Sequence, residues 1–158
     1  MRACIIYATR RGSTRRVAEV IAEELEKMNV EVKLMDVNKN PRVEDCDILI
    51  LGAPVYYEKP LPEIRRFVEL HNGLRGKRVA LFLLCIAEKF GNAGRRYTEG
   101  RYIRLMVESI AGEIVAQKVF EGWVFKESPK TIEEAKDWAR RLFRAAVERK
   151  GLGLEHSG

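Results

Sequence analysis

The sequence predicts an α/β fold, a five-stranded parallel sheet with helices on both faces. Three observations lead there. Strand-like and helix-like patterns alternate five times along the chain. The inner strand candidates are nearly continuous apolar runs, as in Ile48-Leu49-Ile50-Leu51 and Val79-Ala80-Leu81-Phe82-Leu83-Leu84, which suits strands covered on both sides. One strand, ending Ile5-Ile6-Tyr7-Ala8, breaks off in Thr9-Arg10-Arg11-Gly12-Ser13-Thr14, and an amphipathic helical pattern starts at once.

Taken in order, Arg2 to Ala8 reads as the first strand. The first helix, from Arg15 to about Asn29, carries Val17, Ala18, Ile21, Leu25 and Met28 at helical spacing, with Arg15, Arg16, Glu19, Glu23, Glu26 and Lys27 on the wet side. Val30 to Val37 alternates as a second strand, with Val32 and Leu34 on one side. Asn38 to Pro41 is a turn, and a short helical piece is expected over Arg42 to Asp45. Asp47 to Gly52 is the third strand, and Pro54 to Pro60 is a loop. Pro60 and Pro62 suit the first turn of a helix with Leu61, Ile64, Phe67, Val68 and His71 on one face.

Arg78 to Cys85 is the fourth strand, followed by a glycine-rich, charged loop from Ala87 to Gly94. Arg95 to Ala111 carries a helical stripe of Ile103, Met106, Val107 and Ile110. Glu113 to Phe120 is the fifth strand, with a continuation into Trp123-Val124-Phe125 as an alternative end. Thr131 and Glu134 form a capping-box pattern opening a last helix that buries Ile132, Ala135, Trp138, Ala139, Leu142 and Ala146. Gly151 and Gly153 are expected to stop it, so residues 1–150 form one domain and residues 151–158 a frayed tail.

Composition bounds the function. With 158 residues the chain is long enough for one domain with a proper core. Hydrophobic residues at 46% support a globular fold, and charged residues at 33% imply a heavily charged surface. No run of 18 apolar residues is present, and the N-terminus enters strand-like sequence directly, so neither a membrane span nor a secretion signal is expected. Cys4, Cys46 and Cys85 are far apart and odd in number; they read as no disulfide or zinc framework, with a reducing cytoplasm as compartment. The net charge of +6 favours acidic partners, anionic membrane surfaces or nucleic acid; a charged, thermally robust surface that leans positive explains it equally well.

The turn after the first strand carries the clearest chemistry. Backbone N–H groups at a helix start point outward without partners, and the helix dipole favours negative charge there. Thr9, Ser13 and Thr14 add hydroxyl donors, Gly12 lets the backbone come close to a ligand, and Arg10 and Arg11 add charge suited to phosphate oxygens. The alternative is a plain polar connection capped by Ser13 or Thr14. The chain has no G-x-x-x-x-G-K-[ST] or G-x-G-x-x-G loop, no cysteine or aspartate nucleophile in the turn, no G-x-S-x-G elbow and no metal-ligand spacing, so neither catalytic side chains nor metal ligands are assigned. His71 reads as a packed core-edge residue and Cys85 as a small apolar filler at a strand end.

The stretch Ile5, Ile6, Tyr7, Thr9, Gly12, Thr14 and Ala18 fills every fixed position of the N-terminal signature of flavodoxins, which it resembles. The resemblance implies a flavodoxin-like three-layer sandwich with strand order 2-1-3-4-5 and FMN as cofactor. Its phosphate would lie on Thr9, Arg10, Arg11, Gly12, Ser13 and Thr14. The loops after the third and fourth strands would sandwich the ring, which brings in Ala53, Pro54, Val55, Tyr56 and Tyr57 on one side and Cys85, Ile86 and Ala87 on the other. The two tyrosines also read as an aromatic pair covering the sheet edge. Arg95 and Arg96 stand either near the ring or at a solvated helix start.

Tyr7 to Thr14, Leu51 to Tyr57 and the helix to His71 further resemble the flavodoxin-domain group that includes menaquinone-dependent protoporphyrinogen dehydrogenases. Those bacterial enzymes have a long basic, aromatic-rich insertion after the fifth strand begins, where this chain has only Gly122 to Lys130. The expected function is an FMN-binding oxidoreductase or electron-transfer protein. It would work between a redox donor and a quinone-like or protein acceptor, with peripheral contact to an anionic membrane surface as a further reading and no nucleic acid partner. A binding module that keeps the fold without redox turnover, holding an acidic partner through Arg10, Arg11, Arg15 and Arg16, is the alternative.

Overall fold

A computed structural model describes residues 1–56, 59–85 and 100–157. Among the described residues the order is β1 (Arg2–Tyr7), α1 (Ser13–Lys27), β2 (Glu31–Asp36), β3 (Ile48–Tyr56), β4 (Lys59–Pro60), α2 (Pro62–Leu70), β5 (Arg78–Cys85), α3 (100–107), β6 (Glu113–Glu121) and α4 (Pro129–Ser157). Five parallel strands run β2-β1-β3-β5-β6, and the two residues of β4 turn back antiparallel onto Val55 and Tyr56 of β3. Leaving β4 aside, this is the expected order 2-1-3-4-5, in a fold of the flavodoxin type.

The pleat divides each inner strand between two cores, because successive side chains leave a strand on opposite faces. Ala3, Ile5 and Tyr7 of β1, Ile48 and Ile50 of β3, and Ala80, Phe82 and Leu84 of β5 pack under α1 and α4. Cys4, Ile6 and Ala8, then Leu49, Leu51 and Ala53, then Val79, Leu81, Leu83 and Cys85 pack under α2 and α3. Continuous apolar runs are therefore required in the middle of this sheet. β2 is an edge strand, and its Glu31, Lys33 and Leu34 are exposed.

In the first core Phe82, Phe120 and Trp138 meet edge to face, with ring centroids 5.9 to 6.1 Å apart. Phe82 stands in register with Gly52 on the neighbouring strand. A Cβ on Gly52 would lie 2.1 Å from the tip of the Phe82 ring, so the ring fills the place of a side chain at Gly52.

Several local expectations change. Cys4 and Cys46 form a disulfide, with Cα atoms 5.8 Å apart, where the spacing of the cysteines gave no framework. Pairing of Ala3 with Ile48 brings the chain just before β3 alongside β1, and both sulfurs sit in the second core. The helical piece lies at Val37–Lys39, not over Arg42 to Asp45, because the Asp36 carboxylate accepts from the Asn38 N–H and starts the turn there. β3 extends through Pro54 to Tyr56, so most of the expected loop is strand and hairpin. β6 stops at Glu121; Phe125 is fully exposed beyond it. α4 is continuous through Gly151 and Gly153 to Ser157.

The cap of α4 is also different. Ser128, not Thr131, accepts at the helix start: its Oγ takes the Thr131 N–H at 3.3 Å, with Pro129 in the first helical position. Thr131 is fully buried and donates its hydroxyl to the Glu121 carbonyl at 2.7 Å, tying α4 to the end of β6. Ser128→Ala is expected to lower stability by about 1 kcal/mol in chemical denaturation. Thr131→Val should cost at least as much, because the Glu121 carbonyl loses its donor.

Candidate functional site

Both neighbours of β1 follow it in sequence, and they lie on opposite sides. The chain leaves β1 toward α1 and β2 on one side, while β3 lies on the other. That reversal opens a crevice at the carboxyl ends of β1 and β3, where open α/β sheets bind ligands. Tyr7 pairs with Gly52 at this end, and the Ala8 N–H donates to the Gly52 carbonyl at 2.9 Å. The turn from Thr9 to Gly12 therefore starts from a fixed point.

Within the turn, the Gly12 N–H donates to Thr9 Oγ1 at 2.9 Å. Gly12 has φ of 94°, a left-handed conformation that glycine adopts without strain, and it occupies the N-cap of α1. Among the described residues no side chain caps this helix, and no acidic residue stands in its first turn. The reading of the turn as a connection capped by Ser13 or Thr14 is thus not what is observed. The first N–H groups of α1 lack the partners that a helix interior would give them.

Thr14 adds the most informative atom. Its side chain is fully buried, yet Oγ1 has no hydrogen-bond partner among the described residues. Leaving a buried hydroxyl unsatisfied costs about 1–3 kcal/mol, so such groups are rare without a reason. A phosphate at the start of α1 would supply that reason, because it could accept both from a hydroxyl and from the open N–H groups.

The four arginines nearby differ. Arg10 makes a two-point ion pair with Glu63 in the first turn of α2, at 2.7 and 3.0 Å. Arg15 meets Glu19 at 3.1 Å. Arg16 meets Glu127 at 2.7 Å, and that hydrogen bond holds its guanidinium above the usual arginine range. Arg11 is exposed. Three of the four are thus engaged with carboxylates of this chain, which weakens the reading of the cluster as a grip for a polyanion.

The expected ring-side residues are placed in part. Ala53 and Pro54 are buried in β3 and pair with Leu83 and Leu84. Val55 is partly buried against the second core. Tyr56 ends β3 opposite Lys59. Cys85 ends β5, buried, and its carbonyl accepts from the Gly122 N–H at 3.0 Å. Tyr57, Ile86, Ala87, Arg95 and Arg96 lie outside the described residues. The strand ends of β1, β3 and β5 thus face one region, as the topology requires. Glu63 escaped the sequence reading because its partner lies 53 positions away; an acidic residue in a predicted first turn was its only signal.

A family model described as a flavodoxin domain matches residues 4–132. The chain belongs to the flavodoxin domain family. Membership indicates FMN as the cofactor. It is 30% identical over 87 residues to a flavodoxin from Clostridium saccharobutylicum, covering 52% of this chain and 54% of that protein. It is 29% identical over 73 residues to protoporphyrinogen IX dehydrogenase (quinone) from Escherichia coli, covering 45% of this chain and 40% of that protein. The chain thus aligns with about half or less of these relatives' lengths. The solved structure of oxidised flavodoxin 1 from Bacillus cereus superimposes with a TM-score of 0.67 at 20% identity, covering 91% of this chain and 98% of that one.

The residues of this flavodoxin domain fit the phosphate end of FMN. Among the described residues, a buried hydroxyl without a partner, an uncapped helix start and a left-handed glycine stand together in one turn. Among the described residues no helix is long and apolar enough to cross a membrane.

Proposed function

We propose that this flavodoxin domain holds FMN on the Thr9–Thr14 turn and carries electrons between a redox donor and a quinone-like or protein acceptor. The observation that carries the proposal is the unpartnered, buried Thr14 hydroxyl at the open start of α1. When bound, FMN supplies reversible one- and two-electron transfer. The chain's own contribution is to anchor and orient it. Thr9, Ser13 and Thr14 donate hydroxyls to the phosphate, the backbone of Gly12 and the first turn of α1 surround it, and Arg11 adds charge from the rim. Hydrogen bonds to a charged phosphate contribute about 1.5–3 kcal/mol each.

Val55, Tyr56 and Tyr57 on one side, and the segment from Cys85 through Ile86 and Ala87 on the other, border the ring in this reading. A link to protoporphyrinogen oxidation rests on the partial likeness to the Escherichia coli enzyme and is the narrower form of the proposal. Contact with an anionic membrane surface would follow from the net charge of +6 and a membrane-borne quinone. The cytoplasm is the compartment this reading favours. The Cys4–Cys46 bridge is compatible with it because both cysteines are buried, out of reach of dissolved thiols.

Purified protein should be yellow and release flavin on denaturation. Thr14→Val removes the hydroxyl while keeping the shape. It is expected to weaken FMN binding about tenfold or more while leaving the flavin-free protein as stable as before or slightly more so. Fluorescence titration and thermal unfolding read the two effects. A variant that binds FMN as tightly as the parent, or a colourless protein that takes up none, defeats the proposal.

A further inference from the structure

The Arg10–Glu63 pair joins the two segments that flank the crevice. Glu63 is the second residue of α2, and its carboxylate accepts from Nη1 and Nη2 of Arg10 in a two-point fork. Such a fork fixes the plane of the guanidinium as well as its position. Both ends are anchored. α2 is held by buried Ile64, Phe67 and Val68. On the other side, Arg10 lies between Ala8, whose N–H is fixed on Gly52, and the Thr9–Gly12 hydrogen bond that shapes the turn. The Glu63 side chain is 18% exposed against 48% for Arg10, so the carboxylate is the fixed partner and the arginine reaches to it. A carboxylate in the first turn of a helix is further stabilised by the helix dipole.

We propose that Arg10 is a positioning residue and not a phosphate ligand. Glu63 holds it, and the brace keeps the Thr9–Gly12 turn in the shape that presents the start of α1 to a phosphate monoester. This rests on the reading of that turn as the phosphate site. Glu63 balances the charge of Arg10, so the arginine adds little net attraction for an anion. To serve as a ligand it would have to leave a two-point carboxylate pair.

The test compares FMN with riboflavin, which lacks the phosphate, by flavin fluorescence titration of the flavin-free full chain. The proteins are the parent, Glu63→Gln, Arg10→Gln and the exchanged pair Arg10→Glu/Glu63→Arg, each checked for folding by thermal unfolding. Either single change is expected to weaken FMN binding by about fivefold, with riboflavin within about twofold of the parent and most of the loss recovered in the exchanged pair. The brace is overturned if Glu63→Gln leaves FMN binding unchanged or tighter while Arg10→Gln loses it and the exchange fails to restore it; Arg10 is then a ligand. It is also overturned if Thr14→Val abolishes the preference for FMN and Glu63→Gln does not touch it, which leaves the phosphate site standing. A parent that binds riboflavin as tightly as FMN overturns the phosphate site and the brace together.

Discussion

Replacing Cys4 and Cys46 together by alanine is expected to lower the thermal midpoint by roughly 8–16 °C. The bridge closes a loop with a sequence separation of 42. By the chain-entropy relation, a cross-link of that span removes about 4 kcal/mol of freedom from the unfolded chain. At this chain length each kcal/mol moves the midpoint by roughly 2–4 °C. Both sulfurs are buried beneath α2, so the alanines add a loss of packing in the same direction. The bridge itself can be checked first. Under denaturing, non-reducing conditions one thiol per chain should react, that of Cys85. Three reactive thiols would show that the bridge does not form.

Gly52→Ala is expected to destabilise by about 3 kcal/mol, at the upper end of what an added methyl costs in a packed core. The added carbon would sit 2.1 Å from the Phe82 ring, which cannot tilt away because Phe120 and Trp138 close around it. Phe82 is fully buried and belongs to the same core as Trp138. Shortening that side chain should therefore relieve the clash. Phe82→Leu alone destabilises through the space it leaves. In the Gly52→Ala background it should cost at least about 1 kcal/mol less, a coupling that a double-mutant cycle in denaturant measures. Strict additivity would mean that the two positions do not share the space.

The strands were legible because a buried parallel sheet needs unbroken apolar runs, and Ile48 to Leu51 and Val79 to Leu84 have no other use. The turn at Thr9 to Thr14 was legible because hydroxyls and a glycine directly before a helical pattern leave few structural options. The features that escaped depend on register. Cys4 meets Cys46 because Ala3 pairs with Ile48, and Gly52 meets Phe82 because β3 and β5 lie side by side in that alignment. Neither pairing is written in local pattern. The pairing of Arg10 with Glu63 likewise depends on where α2 begins. The capping-box pattern at Thr131 misled for a simpler reason. A hydroxyl three residues earlier, followed by a proline, makes the better helix start, which frees Thr131 to reach the end of β6.

The placement of β1 affects biosynthesis as well as the finished protein. Both flanks of this apolar strand are covered by segments translated later, β2 on one side and β3 on the other. A nascent chain leaving the ribosome therefore carries an unpaired, sticky ribbon until residue 56 or so has emerged. Until then the apolar stretch from Ala3 to Ala8 lacks both of its strand partners.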